Sequence, residues 1–261
     1  MHFDKLANHY MAKTTTNSMY RRSVIILIAA LIWSCNREVA PDCLQSAGKE
    51  VKIRRDIGDF SSVELRDYLQ IELCDSSEKF IEITGPQNIL PDIITTLENG
   101  VLKISNSNTC NFVRSYKKKI TLRIYAPEFP DIQNYSTGDI TSVNELNCSF
   151  LKIENRNASG TIRLNVNVDS IAIATHTGVA DTFISGQSGK TFLFNQGVGI
   201  IDSRNLISGG AFVNNSSIND VFVNTNGYMY AYIKFSGNIF YRGTPENIDE
   251  EILGTGKVVG I

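Results

Sequence analysis

"ASGTIRLNVNVDSIAIATHTGVADTF", residues 158–183, decides the fold. In "TIRLNV" and "SIAIAT" apolar side chains fall on every second position, the period of a β-strand with one buried face. Asp, Ser, Gly and Thr stand between and after these segments, where a chain bends or turns. Nothing after residue 40 shows helical periodicity. The same short alternation returns in "KFIEI", "VLKIS", "KKITLRI", "FLKIEN", "TFLFN", "VFVNT" and "YAYIKF". The chain reads as all-β.

Small residues recur with the strands. Gly138, Gly160, Ala180, Gly199, Asn219 and Gly237 are separated by 22, 20, 19, 20 and 18 residues. Two places after each stands Ile140, Ile162, Thr182, Ile201, Val221 or Ile239. Seven places before the last five stands Ile153, Ile173, Phe192, Phe212 or Tyr230. Ten of these eleven positions are large and apolar or aromatic, in a chain that is 42% hydrophobic, so the columns are not chance. A period near 20 residues predicts a β-solenoid, each coil stacked on the last with equivalent side chains in inward columns. The small residues then mark a corner where the backbone bends or takes positive φ. This reading puts Ile153, Ile173, Phe192, Phe212 and Tyr230 in one buried column.

All six prolines (41, 86, 91, 127, 130 and 245) lie outside 131–244, as stacked coils require, because proline lacks the N–H that joins one coil to the next. Residues 44–130 are less regular and read as a cap or irregular first coils, continuous with the solenoid. In them Glu98–Val101, "ENGV", predicts a hairpin turn. The tail from Gly243 is expected to close the last coil and protect its edge.

The N-terminus reads as an address. From Ser23 to Ser34 the chain is apolar apart from its end serines, too short for a membrane span of about 20 residues. It has the length of an export-signal core, and Arg21 and Arg22 supply the basic flank. Leu31-Ile32-Trp33-Ser34-Cys35 resembles a bacterial lipobox, which implies lipid attachment at Cys35 and removal of 1–34. The alternatives are a plain secretory signal or a buried helix. Met19 opens a tidier leader than Met1. The organisation expected is a signal peptide over 1–34, an anchor linker over 35–49 and one β-solenoid domain over 50–261. Asn36 after the cysteine leans, by analogy with other lipoproteins, to the outer membrane.

Loss of the leader leaves 21 basic against 26 acidic side chains, a formal net charge of −5. Such a surface lacks the basic stripe that nucleic acid requires. The one basic cluster, Arg114, Lys117, Lys118, Lys119 and Arg123, reads as a solvated strand edge guarded by charge. Cys43, Cys74, Cys110 and Cys148 show no metal-ligand spacing, and export permits disulfides. Cys74 and Cys110, each ending a strand-like segment, are the pairing favoured; buried free thiols are the alternative.

Several motifs together resemble a known family. Ile57-Gly58-Asp59-Phe60, "ENGVLKI", the steps "TGDI" (137–140), "SGTI" (159–162) and "SGNI" (236–239), and "FYRGTPENI" (240–248) are similar, in this order, to the auto-transporter adhesin head GIN domain family (DUF2807). The resemblance covers roughly 50–260. It implies a β-helical fold, export to the envelope and no catalytic residues. Ala180, Asp181 and Thr182 depart from the Gly-polar-Ile step.

Chemistry has few candidates. "SGKT" (188–191) lacks the glycine that a phosphate loop needs at position 184, which is Ile. "SGQSG" (185–189) lacks the nucleophile-elbow frame. His176, alone in the mature chain, reads as a surface residue beside a corner. Asp139, Asp181 and Asp220 follow their corners in one outward column, two coils or roughly 9.6 Å apart, too far for neighbours to share a calcium ion. That spacing could suit an inverting carboxylate pair; a turn-preferring Asp explains it equally. The expectation is a lipid-anchored, noncatalytic envelope protein of adhesin-like or structural role. It would need no cofactor or metal, and its partners would be the membrane and a glycan or envelope protein. A polysaccharide lyase or glycoside hydrolase is the alternative.

Overall fold

The computed structural model describes residues 46–108, 119–129 and 131–261. Strands β1 (Glu50–Asp56), β2 (Ser62–Asp67), β3 (Gln70–Asp75) and β4 (Phe80–Pro86) open the fold, with β4 antiparallel to β1. A 3-10 turn at Leu90–Asp92 leads into β5 (Ile93–Glu98), which reverses into antiparallel β6 (Val101–Asn106). The reversal uses Asn99 at φ 51° and Gly100 at φ 77°, both positive as a two-residue hairpin demands, so "ENGV" turns as expected. Strand β7 (Thr121–Ala126) pairs antiparallel with β4 and parallel with β3; β8 (Asp131–Ser136) and β9 (Ile140–Ser142) pair parallel with β2 and β3. The earliest coil, β2–β3, therefore lies between β6–β7 on one side and β8–β9 on the other. This interleaving, with the antiparallel β1, β4 and β5, is the irregular N-terminal part.

From β10 (Leu146–Asn155) the stacking becomes sequential. Strands β11 (Thr161–Thr175), β12 (Asp181–Asn195) and β13 (Ile201–Asn215) each cross one face, bend, and cross the other. Two consecutive outward residues mark each bend. In β11, Ile162, Leu164, Val166 and Val168 point inward, Asp169 and Ser170 do not, and Ile171 and Ile173 resume. The stack continues through β14 (Val221–Asn224), β15 (Tyr228–Ile233), β16 (Ile239–Arg242), β17 (Asn247–Ile252) and β18 (Val258–Gly260), all parallel to their predecessors. We call the face carrying β8, β15, β17 and the last five residues of β10 to β13 the first face. The second carries β9, β14, β16, β18 and the opening residues of β11 to β13. The tail is thus a further regular coil rather than a closing cap. Exposed Asp249, Glu250 and Glu251 along β17 guard its edge by charge.

The column two places after the corners is as expected: Ile140, Ile162, Thr182, Ile201, Val221 and Ile239 are successive partners and all buried. The other column is corrected. Ile173 pairs with Leu193, not with Phe192, and Leu193, Val213 and Ala231 are the buried continuations of Ile153 and Ile173. Phe192, Phe212 and Tyr230 follow Ala172 on the outside. The cause is a corner one residue shorter. Fewer residues separate Asn195 from Ile201 than separate their partners Thr175 and Thr182. A fixed offset counted across that change slips by one, and in a strand a slip of one exchanges the faces.

The corner residues are small chiefly because coils meet there. A Cβ on Gly138 would sit 1.8 Å from the Leu69 carbonyl oxygen, and one on Gly199 would sit 1.9 Å from that of Ala180. Of the aligned glycines only Gly160 takes a positive φ, 83°. Just before the corners runs a fully buried polar column of Asn134, Asn155, Thr175, Asn195 and Asn215, which the sequence reading missed. Asn134 Nδ2 donates to Asn155 Oδ1 at 2.9 Å and Asn155 Nδ2 to Thr175 Oγ1 at 3.2 Å. Asn195 and Asn215 instead donate to the Gly199 and Asn219 carbonyls at 3.0 and 2.9 Å, pinning their own corners. Buried amides that find such partners fix one register of stacking.

Candidate functional site

Outward residues of the first face form a row with graded chemistry. Lys152, Ala172, Phe192, Phe212, Tyr230 and Asp249 are successive partners across adjacent strands. Phe192 and Phe212 keep 38% and 37% of their surface in contact with solvent. Their rings stack at 5.0 Å between centroids and 10° between planes, and Tyr228 tilts against Phe212 at 5.7 Å. Tyr228 and Tyr230 donate their hydroxyls to Asp249 and Glu251, each at 2.8 Å. Solvent exposure of such rings is unfavourable, which makes this contiguous patch on a rigid sheet the candidate interaction surface.

The row is interrupted at Ala172, with Ala174 beside it. The gap is part of a cleft of about 360 Å³ whose walls include Lys152, Phe192, Phe194, Phe212, Asn214 and Tyr230. Strands lie about 4.8 Å apart, so the Lys152 and Phe192 rungs stand roughly 9.6 Å from each other with only alanine methyls between. On the Lys152 wall of the cleft, Lys152 Nζ lies 2.7 Å from Glu154 Oε1 and 3.9 Å from Asp131 Oδ1; Arg156 also pairs with Glu154. Burial works to raise the Glu154 carboxyl, but hydrogen bonds from Lys152 and Arg156 outweigh it and hold the group below its ordinary range. His176 Nε2 lies 3.7 Å from Glu154 Oε2. Burial, then Arg156 and Lys152, lower the imidazole pKa against the pull of Glu154.

The second face also carries aromatics, but their faces are covered. Arg163 sits 4.8 Å from the Phe183 ring centre, and Arg204, paired with Asp202, 4.3 Å from that of Phe222. Phe222 stacks in turn on Phe240 at 5.1 Å. A polar cleft of about 320 Å³, lined by Arg163, Phe183, Asp202 and Asn205 among others, opens where the β12–β13 register shifts.

Asp139, Asp181 and Asp220 do form a column, and each carboxylate is engaged by the next coil. Asp139 Oδ1 accepts the Thr161 N–H at 2.8 Å, Asp181 Oδ1 the Ile200 N–H at 2.9 Å, and Asp220 Oδ1 the Asn238 N–H at 2.8 Å. Asn238 Oδ1 serves the Lys257 N–H at 3.0 Å in the same way. A short acceptor side chain at this position ties coil to coil. His176 is partly buried and leans on Phe194, with ring centres 5.3 Å apart, rather than standing free on the surface.

Of the basic cluster, Arg114, Lys117 and Lys118 lie outside the described residues. Arg123 does not guard an edge, because β7 is paired on both sides, and its Nη2 meets Glu72 Oε2 at 2.6 Å. Cys35 and Cys110 also lie outside the described residues. Cys74 and Cys148 are not bonded to each other, and burial pushes the Cys148 thiol up to about 11. Among the described residues no group of three or more His, Cys, Asp or Glu side chains is placed to hold a metal ion, and no helix is long and apolar enough to cross a membrane.

This architecture agrees with sequence comparison. Residues 59–245 match the family described as "Putative auto-transporter adhesin, head GIN domain". The chain belongs to that family. No curated protein matches it. Among crystal structures it is similar to a "putative adhesin" of Bacteroides fragilis, at 23% identity and a TM-score of 0.75, over 82% of this chain and 97% of that one. It also resembles a "putative adhesin" of Parabacteroides distasonis, at 16% identity and a TM-score of 0.62, over 82% and 98% of the two chains. A "putative lipid binding protein" of the same organism follows at 17% identity and a TM-score of 0.59, over 82% and 97%. At these identities the likeness is one of fold. The head GIN domain found here includes every coil from β2 to β16.

Proposed function

We propose that this head GIN protein is a noncatalytic binding protein of the bacterial cell envelope. It is held to the outer membrane by lipid at Cys35 and offers its first face to a glycan or envelope protein. The exposed stack of Phe192 and Phe212, continued by Tyr228 and Tyr230, carries the reading. Adhesin-like family membership supports a place at the envelope. Commitment of the column aspartates to backbone N–H groups supports a noncatalytic role.

Two measurements test it. Purified protein and its Phe192→Ser/Phe212→Ser variant, both in detergent so that the anchor plays no part, are compared for retention on immobilised envelope proteins and on a glycan array; equal retention by both would remove the first face from the proposal. Cells fed an alkyne fatty acid should label the wild type and not Cys35→Ala. Label in both proteins would replace the lipid anchor by a plain export signal.

A further inference from the structure

The row on the first face lacks one rung. Tyr230, Phe212 and Phe192 succeed one another at the strand spacing, Ala172 follows with a methyl, and Lys152 follows that. Phe192 stacks on Phe212 at 5.0 Å and 10°, so its other face is turned towards the space above Ala172. Once atomic thickness is subtracted from the roughly 9.6 Å between the flanking rungs, about 6 Å remains, enough for one ring lying parallel to Phe192. On the second face arginines already cover the equivalent surfaces of Phe183 and Phe222. Phe192 has no such cover among the described residues.

We infer that this vacant rung, bounded by Phe192, Ala172, Ala174 and Lys152, binds a single uncharged pyranose ring of a glycan. The inference rests on the binding reading above and names its ligand. One face of a pyranose is a set of C–H bonds, which suit the negative face of an aromatic ring. Its rim is hydroxyl, and Lys152, paired with Ala172, and Glu154, paired with Ala174, stand at the margin of the vacant rung to meet it. The Lys152 charge is matched by Glu154 at 2.7 Å, so the wall has no excess charge to draw an anion. An acyl chain fits worse. The cleft is open enough to leave Phe192 and Phe212 more than a third exposed, so much of a hydrocarbon would remain in water. A sugar keeps its wet edge wet.

The test fills the rung from the protein itself. Ala172→Phe extends the aromatic ladder on an outward position, keeping the fold while occupying the space, and Phe192→Ala removes the platform. Full-length protein in detergent is titrated calorimetrically with neutral gluco-, manno- and galacto-oligosaccharides, with oligouronates, and with a monomeric short-chain phospholipid. Thermal melts establish that each variant is folded. The expected result is millimolar-range binding of at least one neutral oligosaccharide, weakened about tenfold or more by both substitutions, and no cleft-dependent binding of the phospholipid or the uronates. Neutral binding unchanged in Ala172→Phe overturns the site, and its loss in Arg163→Ala or Asn205→Ala instead moves it to the second face. Preference for uronates overturns the uncharged ligand; phospholipid binding lost in Ala172→Phe overturns the sugar and makes the cleft a lipid site. Absence of any sugar binding overturns the inference, while envelope retention that depends on Phe192 and Phe212 would leave the broader binding reading standing.

Discussion

Leu193 pairs with Ile173 inside the solenoid, one position away from the partner that corner-to-corner counting assigns. The two are 2% and 1% exposed, and Phe192, the adjacent residue, is 38% exposed. Neighbours in one strand should therefore respond to truncation very differently. Leu193→Ala should cost about 2–5 kcal/mol, as for a buried aliphatic residue in a close-packed core. Phe192→Ala should cost less than Leu193→Ala, because its ring still meets solvent; the loss is the stacked pair, about 0.5–1.5 kcal/mol, plus the part of the ring that is buried. Chemical denaturation of both variants checks the register. Equal losses would contradict it.

Thr182 occupies a buried position between Ile162 and Ile201, and its hydroxyl has no hydrogen-bond partner among the described residues. Valine has the same shape without the hydroxyl. Thr182→Val should stabilise the protein by about 1 kcal/mol, since a buried unsatisfied polar group is relieved. A rise in melting temperature is the readout.

Asp220 accepts two hydrogen bonds from Asn238, from the backbone N–H at 2.8 Å and from Nδ2 at 2.9 Å. Removing the acceptor in Asp220→Ala should cost about 1–2 kcal/mol, whereas Asp220→Asn keeps an acceptor and should cost little. The same Asn variants of Asp139, Asp181 and Asp220 serve a second assay, on polysaccharides with and without calcium. No release of reducing ends or unsaturated uronates is expected from wild type. Release that vanishes in Asp181→Asn or Asp220→Asn would install an enzyme.

Acid should weaken the fold in two steps around Glu154. His176 has its pKa lowered from 6.5, so between its native and its ordinary value the unfolded chain binds the extra proton. Its contribution is complete above pH 6.5 and declines as pH falls towards the native pKa. Glu154, lowered from 4.5, contributes above that value and loses its contribution as pH falls further, through its native pKa. Melting curves from pH 8 to pH 3 should show both declines. His176→Gln should abolish the upper one and leave the lower one.

The solenoid was legible in the chain because its determinants are local and repeated: alternation, the small corner residue and the absence of proline. The face of Phe192 was not, because "TFLFN" and "AFVNN" have apolar residues on both phases and period alone does not choose between them. The buried asparagines do choose. Counting two back from Asn155, Asn195 and Asn215 reaches Ile153, Leu193 and Val213, all inside. That signal was present, and corners of unequal length hid it from a count that began at the glycines. The interleaved first coils were illegible for another reason. The partners of β2 are 39 or more residues away, as Ser62 is from Val101, and no local pattern records such a pairing.

The interleaving of β2–β3 imposes an order on a chain that emerges from its N-terminus. Its strands have a neighbour on each side only after Ser142 has appeared, because β8 and β9 are needed to complete the layer. Until then β2 and β3 are half-dressed, with one line of backbone groups still looking for company. Beyond Leu146 the situation changes, for every new coil finds its template already standing. A chain that emerges N-terminus first would thus hold back until Ser142 is available and afterwards lay itself down rung by rung.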